Sequence, residues 1–148
     1  MREQDGVVAR RATLAEILPV RWDVLLPGWP AEKIRFPGED APEVMQIGAF
    51  AEGRTIGCAT VLPAPWQGEP AWQLRGMGVA HDWQKKGVGQ LILAEAEDLV
   101  RAAGDVRLMW CNAREVALGF YQRLGWVVAS ERFHVENVGP HFKMTKRL

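Results

Sequence analysis

The chain has 148 residues, the size of one domain, and 48% hydrophobic content, enough for a full core. Lys and Arg together number 18 and so do Asp and Glu, so no global field recruits nucleic acid or an anionic membrane. No run is long and apolar enough for a membrane span, Met1-Arg-Glu-Gln-Asp5 does not open a signal peptide, and Cys58 and Cys111 lie in separate apolar runs as reduced core residues. A cytoplasmic protein is the expectation.

In chain order, Gly6–Arg10 reads as a first strand and Thr13–Trp22 as a helix with Thr13 as its N-cap. Leu25–Glu43, rich in Pro and Gly, has no periodicity and is expected to be a binding loop. Val44–Ala51, the turn Glu52-Gly53-Arg54 and Thr55–Leu62 form an antiparallel hairpin, and Pro63–Gly68 is a second loop. Gln73–Val79 is a short buried strand. From Val88 the apolar residues Val88, Leu91, Ile92, Ala96, Leu99, Val100 and Ala103 mark one helix face, with Glu95, Glu97, Asp98 and Arg101 off the stripe and Gly104 as the stop. Arg107–Cys111 is a strand, a helix is expected from about Ala113 to Leu124, and Pro140–Lys146 closes the sheet. The seven tryptophans are expected mostly in core or subunit contacts.

The most informative segment is Gln84-Lys85-Lys86-Gly87-Val88-Gly89, between a strand and a helix. Glycines at a helix start let a ligand approach the backbone, and the free N–H groups of the first turn, with the positive end of the helix dipole behind them, suit phosphate. It is neither a Walker A loop nor a Gly-x-Gly-x-x-Gly fingerprint. The pattern Gln-x-x-Gly-x-Gly resembles the pyrophosphate loop of the GNAT superfamily of N-acetyltransferases. A second segment, Ala117-x-x-Phe120-Tyr121-x-x-Leu124-Gly125-Trp126, is similar to that superfamily's Ala-x-x-Phe/Tyr-Tyr-x-x-x-Gly-Phe signature, with Trp for Phe. The two stand in the superfamily's order, and the resemblance spans residues 44–148.

The resemblance implies an α/β fold in a single domain covering residues 1–148. Its mixed, mostly antiparallel sheet would carry helices on both faces, with the family's fourth and fifth strands splayed. It implies acetyl-CoA as cosubstrate, its arm entering the splay and its diphosphate on Gln84, Lys85, Lys86, Gly87, Val88, Gly89 and Gln90. Main-chain groups left unpaired by splaying need partners, which makes Met77, Gly78 and Val79 the candidates for contact with pantetheine, beside Ala117 and Phe120. Lys85 or Lys86 pairs with phosphate or is solvated surface. Where the family often carries the Asn that reaches pantetheine, this chain has Arg114. Asn112 either takes over that contact or is a helix N-cap, the preferred reading. His81 stands where the family often has Pro.

The implied reaction is direct attack of an amine on the thioester, with Tyr121, the only tyrosine, as general acid. Its phenol is expected to match a departing thiol in pKa, and to sit above Ala117, beside a helical stripe of Ala113, Val116, Phe120 and Leu124. Glu39, Asp40, Glu43, His134 and His141 are candidate bases, none preferred. The acceptor is a primary amine, of a small molecule by the weak indication of aromatic loops (Trp22, Trp29, Trp66, Trp72). A peptide acceptor, a non-catalytic acyl-CoA sensor and a partner-binding domain stay open. A homodimer is expected from family habit.

Overall fold

A computed structural model describes all 148 residues. Nine strands form one sheet: β1 (Arg2–Gln4), β2 (Val7–Ala12), β3 (Met45–Ala51), β4 (Arg54–Pro63), β5 (Trp72–Val79), β6 (Leu108–Arg114), β7 (Val127–Val128), β8 (Phe133–Val135) and β9 (Gly139–Arg147). The spatial order is β1-β2-β3-β4-β5-β6-β9-β7, with β8 also on β9. Every pairing is antiparallel except β5 with β6. The fold is the mixed, mostly antiparallel α/β sheet that the resemblance implied.

Three helices flank it: α1 (Leu14–Leu25), α2 (Val88–Ala103) and α3 (Leu118–Arg123). α1 begins at a capping box, with Thr13 Oγ accepting from the Glu16 N–H and Glu16 reaching back to the Thr13 N–H. It packs where β5 has no side chain, so that a Cβ on Gly78 would meet Leu25 at 3.0 Å. α2 lies on the other face, with Val88 and Ile92 over Gly57 of β4. α3 shares that face, Phe120 lying against Gly89 of α2. The core joins both layers through Ile17, Ile47, Ile56, Val61, Ile92, Val100 and Met109.

Several expectations needed correction. β1 was not foreseen, although Asp5-Gly6, both at positive φ, forms the tight turn that such a dipeptide favours. Glu95 and Glu97, which lie off the apolar stripe of α2, are nonetheless buried because the chain ends cover that flank. Glu95 pairs with the N-terminal amine at 3.1 Å, and Glu97 accepts from Lys146 Nζ at 2.8 Å and Trp126 Nε1 at 3.3 Å. The helix expected from Ala113 starts later. Residues up to Arg114 extend β6, because β9 supplies partners as far as His141. Of the tryptophans, Trp126 is buried in the core and Trp72 and Trp83 pack against it, while Trp22 and Trp29 are exposed.

Candidate functional site

β5 and β6 pair only through Trp72–Leu74 against Met109–Cys111, then diverge. The divergence begins at a bulge. Cys58 faces Gly78 while Thr60 faces Arg75, so β5 carries one residue more than β4 across that step. Gly76 takes φ +57 there, and a Cβ on it would lie 2.8 Å from the Phe36 ring. The bulge turns Arg75 and Gly76 toward α1, whereas the end of the Met77 side chain approaches Gly89 of α2. The Ala80 N–H bonds back to Ile56 of β4, so alternation directs the peptide groups of Val79 and Met77 into the gap.

The mouth of α2 opens beside the end of β5. Its N-cap is Gly87, at φ +83, which offers no side chain, and nothing else caps the first turn. The contrast with the self-capped α1 is sharp: the N–H groups of Val88, Gly89 and Gln90 are left for another partner. The turn before them is held in shape by Lys85 at φ +62, a conformation costly for a side-chain residue, and by Gln84 Nε2 donating to the Val79 carbonyl at 2.9 Å. That bond ties the loop to β5 and occupies the Val79 oxygen. Lys85 is exposed, and Lys86 lies over the Trp83 ring at 5.1 Å.

Tyr121 is 8% exposed, edge-on to Phe120 at 5.2 Å and to Trp126 at 5.5 Å. Its hydroxyl faces the thiol of Cys111, the last β6 residue to pair with β5. The phenol therefore sits at the apex of the gap. Burial, reinforced by Cys111, pushes its pKa well above the ordinary tyrosine value, so the expected match to a thiol does not hold. It stays a proton donor at any physiological pH. Burial also pushes Cys58 and Cys111 up to about 12 each, which leaves neither thiol suited to carry an acyl group.

The sequence model of the acetyltransferase (GNAT) family matches residues 14–126, more than half of the chain. The chain belongs to the GNAT acetyltransferase family. It is 30% identical over 135 residues to the uncharacterized N-acetyltransferase YitI of Bacillus subtilis (strain 168), covering 87% of this chain and 88% of that one. The fold is similar to that of Escherichia coli ElaA, with TM-score 0.79 at 16% identity over 95% of this chain and 99% of that one. It is also similar to a GNAT family acetyltransferase from Elizabethkingia anophelis with acetyl-CoA bound, with TM-score 0.70 at 17% identity over 98% and 100%.

The expected positions gather unevenly around the gap. Met77, Gly89 and Phe120 converge, while Ala117 is half-buried at the start of α3 and Gln90 is exposed on the first turn of α2. Asn112 is not a helix cap. It lies in β6, exposed on the α1 side, where its Oδ1 accepts from Lys143 Nζ at 2.9 Å. The expected stripe around Tyr121 is also absent, since Ala113 is in the strand and Val116 is 93% exposed.

Of the candidate bases, Glu39 is committed elsewhere. Burial would raise its pKa, but hydrogen bonds from Arg21, the Phe36 N–H and Gln46 outweigh that and hold it below the usual carboxylate value. Asp40, Glu43 and His134 are exposed. His141 is buried, its Nδ1 2.9 Å from the Gly139 carbonyl, and it faces Arg114 across the β6–β9 pair. Sequence reasoning missed Arg21, which is fully buried and joins α1 to the 26–44 loop through Glu39 and the Ile34 carbonyl. The signal was present: Arg21 occupies the apolar stripe defined by Ile17, Val20 and Val24.

Proposed function

We propose that this protein transfers an acetyl group from acetyl-CoA to a primary amine of a small molecule, by direct attack. The observation that carries the reading is the uncapped mouth of α2 opening beside the β5–β6 gap. The residues fit a diphosphate on a thin polar arm. The N–H groups of Val88, Gly89 and Gln90 would hold the diphosphate, with Lys85 and Lys86 as the nearby cations. The main chain of Met77 and the Val79 N–H would meet the amides of the arm, beside Gly78, Ala117 and Phe120, and Gln84 would act by positioning the loop. Acetyl-CoA supplies an activated thioester and a thiol leaving group. Tyr121, kept protonated by burial, would donate to the sulfur at the gap apex. With both cysteines raised, no acyl-enzyme carrier is at hand, which favours direct transfer. The 26–44 loop, whose Phe36 packs at the bulge, would close the acceptor side.

Calorimetry with acetyl-CoA tests the cosubstrate. We expect saturable binding by the wild type and none by Gly89→Glu, whose side chain brings bulk and negative charge to the first turn. Equal affinity in the two would refute the phosphate site. An amine panel followed by free-thiol detection then separates an enzyme from an acyl-CoA sensor, which binds without turnover.

A further inference from the structure

The α1 face of the sheet carries an uncompensated positive charge at the gap. Strand pairing sets Arg75 beside Thr60, Lys143 beside Asn112 and Arg114 beside His141. Thr60 bonds to Arg21 of α1, which fixes the face to which Arg75 points. By strand alternation, and because Trp110 pairs with Gln73 one step before the gap, Trp110 and Asn112 of β6 share that face. Asn112 and Arg114 are exposed there, and Arg75 and Lys143 half-buried. Arg75 thus borders the gap from β5, and Lys143 and Arg114 from the β6–β9 side.

None of the three cations lies in any of the chain's ion pairs. Rings and an amide hold two of them, Arg75 and Lys143, instead. The Arg75 guanidinium lies over Phe36 at 4.7 Å, and Lys143 Nζ over Trp110 at 5.0 Å and Phe133 at 5.3 Å, donating to Asn112. Aromatic faces position a cation without supplying a counter-anion. Glu39, whose carboxylate accepts from the Phe36 N–H, is taken by Arg21, and Glu115, the neighbour of Arg114 in sequence, by Arg132. Because the whole chain is formally neutral, this excess is local to the face. It does not serve the diphosphate site either, since α2 packs on the opposite face.

We infer that the acceptor is an amine that also carries an anionic group, a carboxylate or a phosphate, held by Arg75 and Lys143 with Arg114 at the rim. The inference rests on the transferase reading and narrows its substrate. A polyamine or other multiply cationic acceptor meets like charge on this face, whereas an anionic amine meets two donors set on either side of the gap.

The test compares matched amines by thiol release: phenethylamine with phenylalanine, ethanolamine with phosphoethanolamine, and putrescine as the dication. The anionic member of at least one pair is expected to show a kcat/KM higher by about tenfold or more. Which pair responds tells carboxylate from phosphate. Arg75→Gln and Lys143→Gln, made separately, should each raise KM for that member by about tenfold while leaving the acetyl-CoA Kd unchanged, which also reports that they fold. Preference for putrescine or for the neutral members, or variants that weaken all amines alike, would overturn the inference while acetyl-CoA binding stands. Failure of the wild type to bind acetyl-CoA would overturn the transferase reading, and this inference with it.

Discussion

Replacing Glu39 with Leu removes the anion from beside a fully buried guanidinium. In the native fold the Arg21 Nη1 donates to Glu39 at 2.9 Å and to the Ile34 carbonyl at 3.0 Å, while Nη2 donates to Glu39 and to Thr60 Oγ at 2.8 Å. Glu39 also accepts from the Phe36 N–H at 2.8 Å and Gln46 Nε2 at 3.1 Å. The variant leaves Arg21 charged, dry and short of its main partner, which costs about 3–5 kcal/mol. For a chain of this size that corresponds to a melting temperature lower by roughly 6–20 °C. Thermal unfolding followed by tryptophan fluorescence or circular dichroism reads it. The double variant Arg21→Met/Glu39→Leu, which removes both charges, should recover most of the loss.

The same pair has a signature in pH. The folded pKa of Glu39 lies below its unfolded value, so its contribution is complete above the unfolded carboxylate value, about 4.3, and is lost as pH falls through the folded one. Wild-type stability should fall through that acidic window, and the double variant should fall less. A Glu39→Leu variant within about 1 kcal/mol of wild type, or a double variant no better than the single, would refute the account, since both contradict a buried charge left unpaired. Because Glu39 fixes Phe36 at the β5 bulge, limited proteolysis of the 26–44 loop should accelerate together with the loss of stability.

Tyr121→Phe should lower turnover by about 10²-fold with little change in acetyl-CoA affinity, measured by steady-state kinetics and calorimetry. Since burial raises the phenol, the wild-type rate should show no fall attributable to its ionisation near pH 10, where an ordinary tyrosine titrates. Gly76→Ala forces a side chain into the left-handed region at about 1–2 kcal/mol and pushes Phe36 away, so both melting temperature and acceptor kcat/KM should drop. Thr13→Ala opens the α1 capping box and should cost about 1 kcal/mol in chemical denaturation without touching turnover.

What was legible in the sequence was local. The Thr13-x-x-Glu16 box, the Glu52-Gly53 hairpin and the apolar stripe of α2 act over a few residues, so composition and period sufficed to find them. The glycine loop and the Tyr121 segment were readable as motifs, and the open α2 mouth they implied is present. The end of β6 was misread because Asn112–Arg114 are strand only where residues about thirty positions later pair with them. The local pattern there also suited a helix, and an added hydrogen-bonded strand overrode it.

The bulge at Gly76, the side to which Arg75 points and the Arg21–Glu39–Thr60 cluster were set by three-dimensional neighbours alone. A one-residue change of register reverses which face a side chain occupies, and no local rule reports register. Thus the chain's own order of residues determined its elements and the loop at the helix mouth. Only the folded sheet decided that cations without acidic partners line one face of the gap, because charge compensation depends on distances in space between groups remote along the chain.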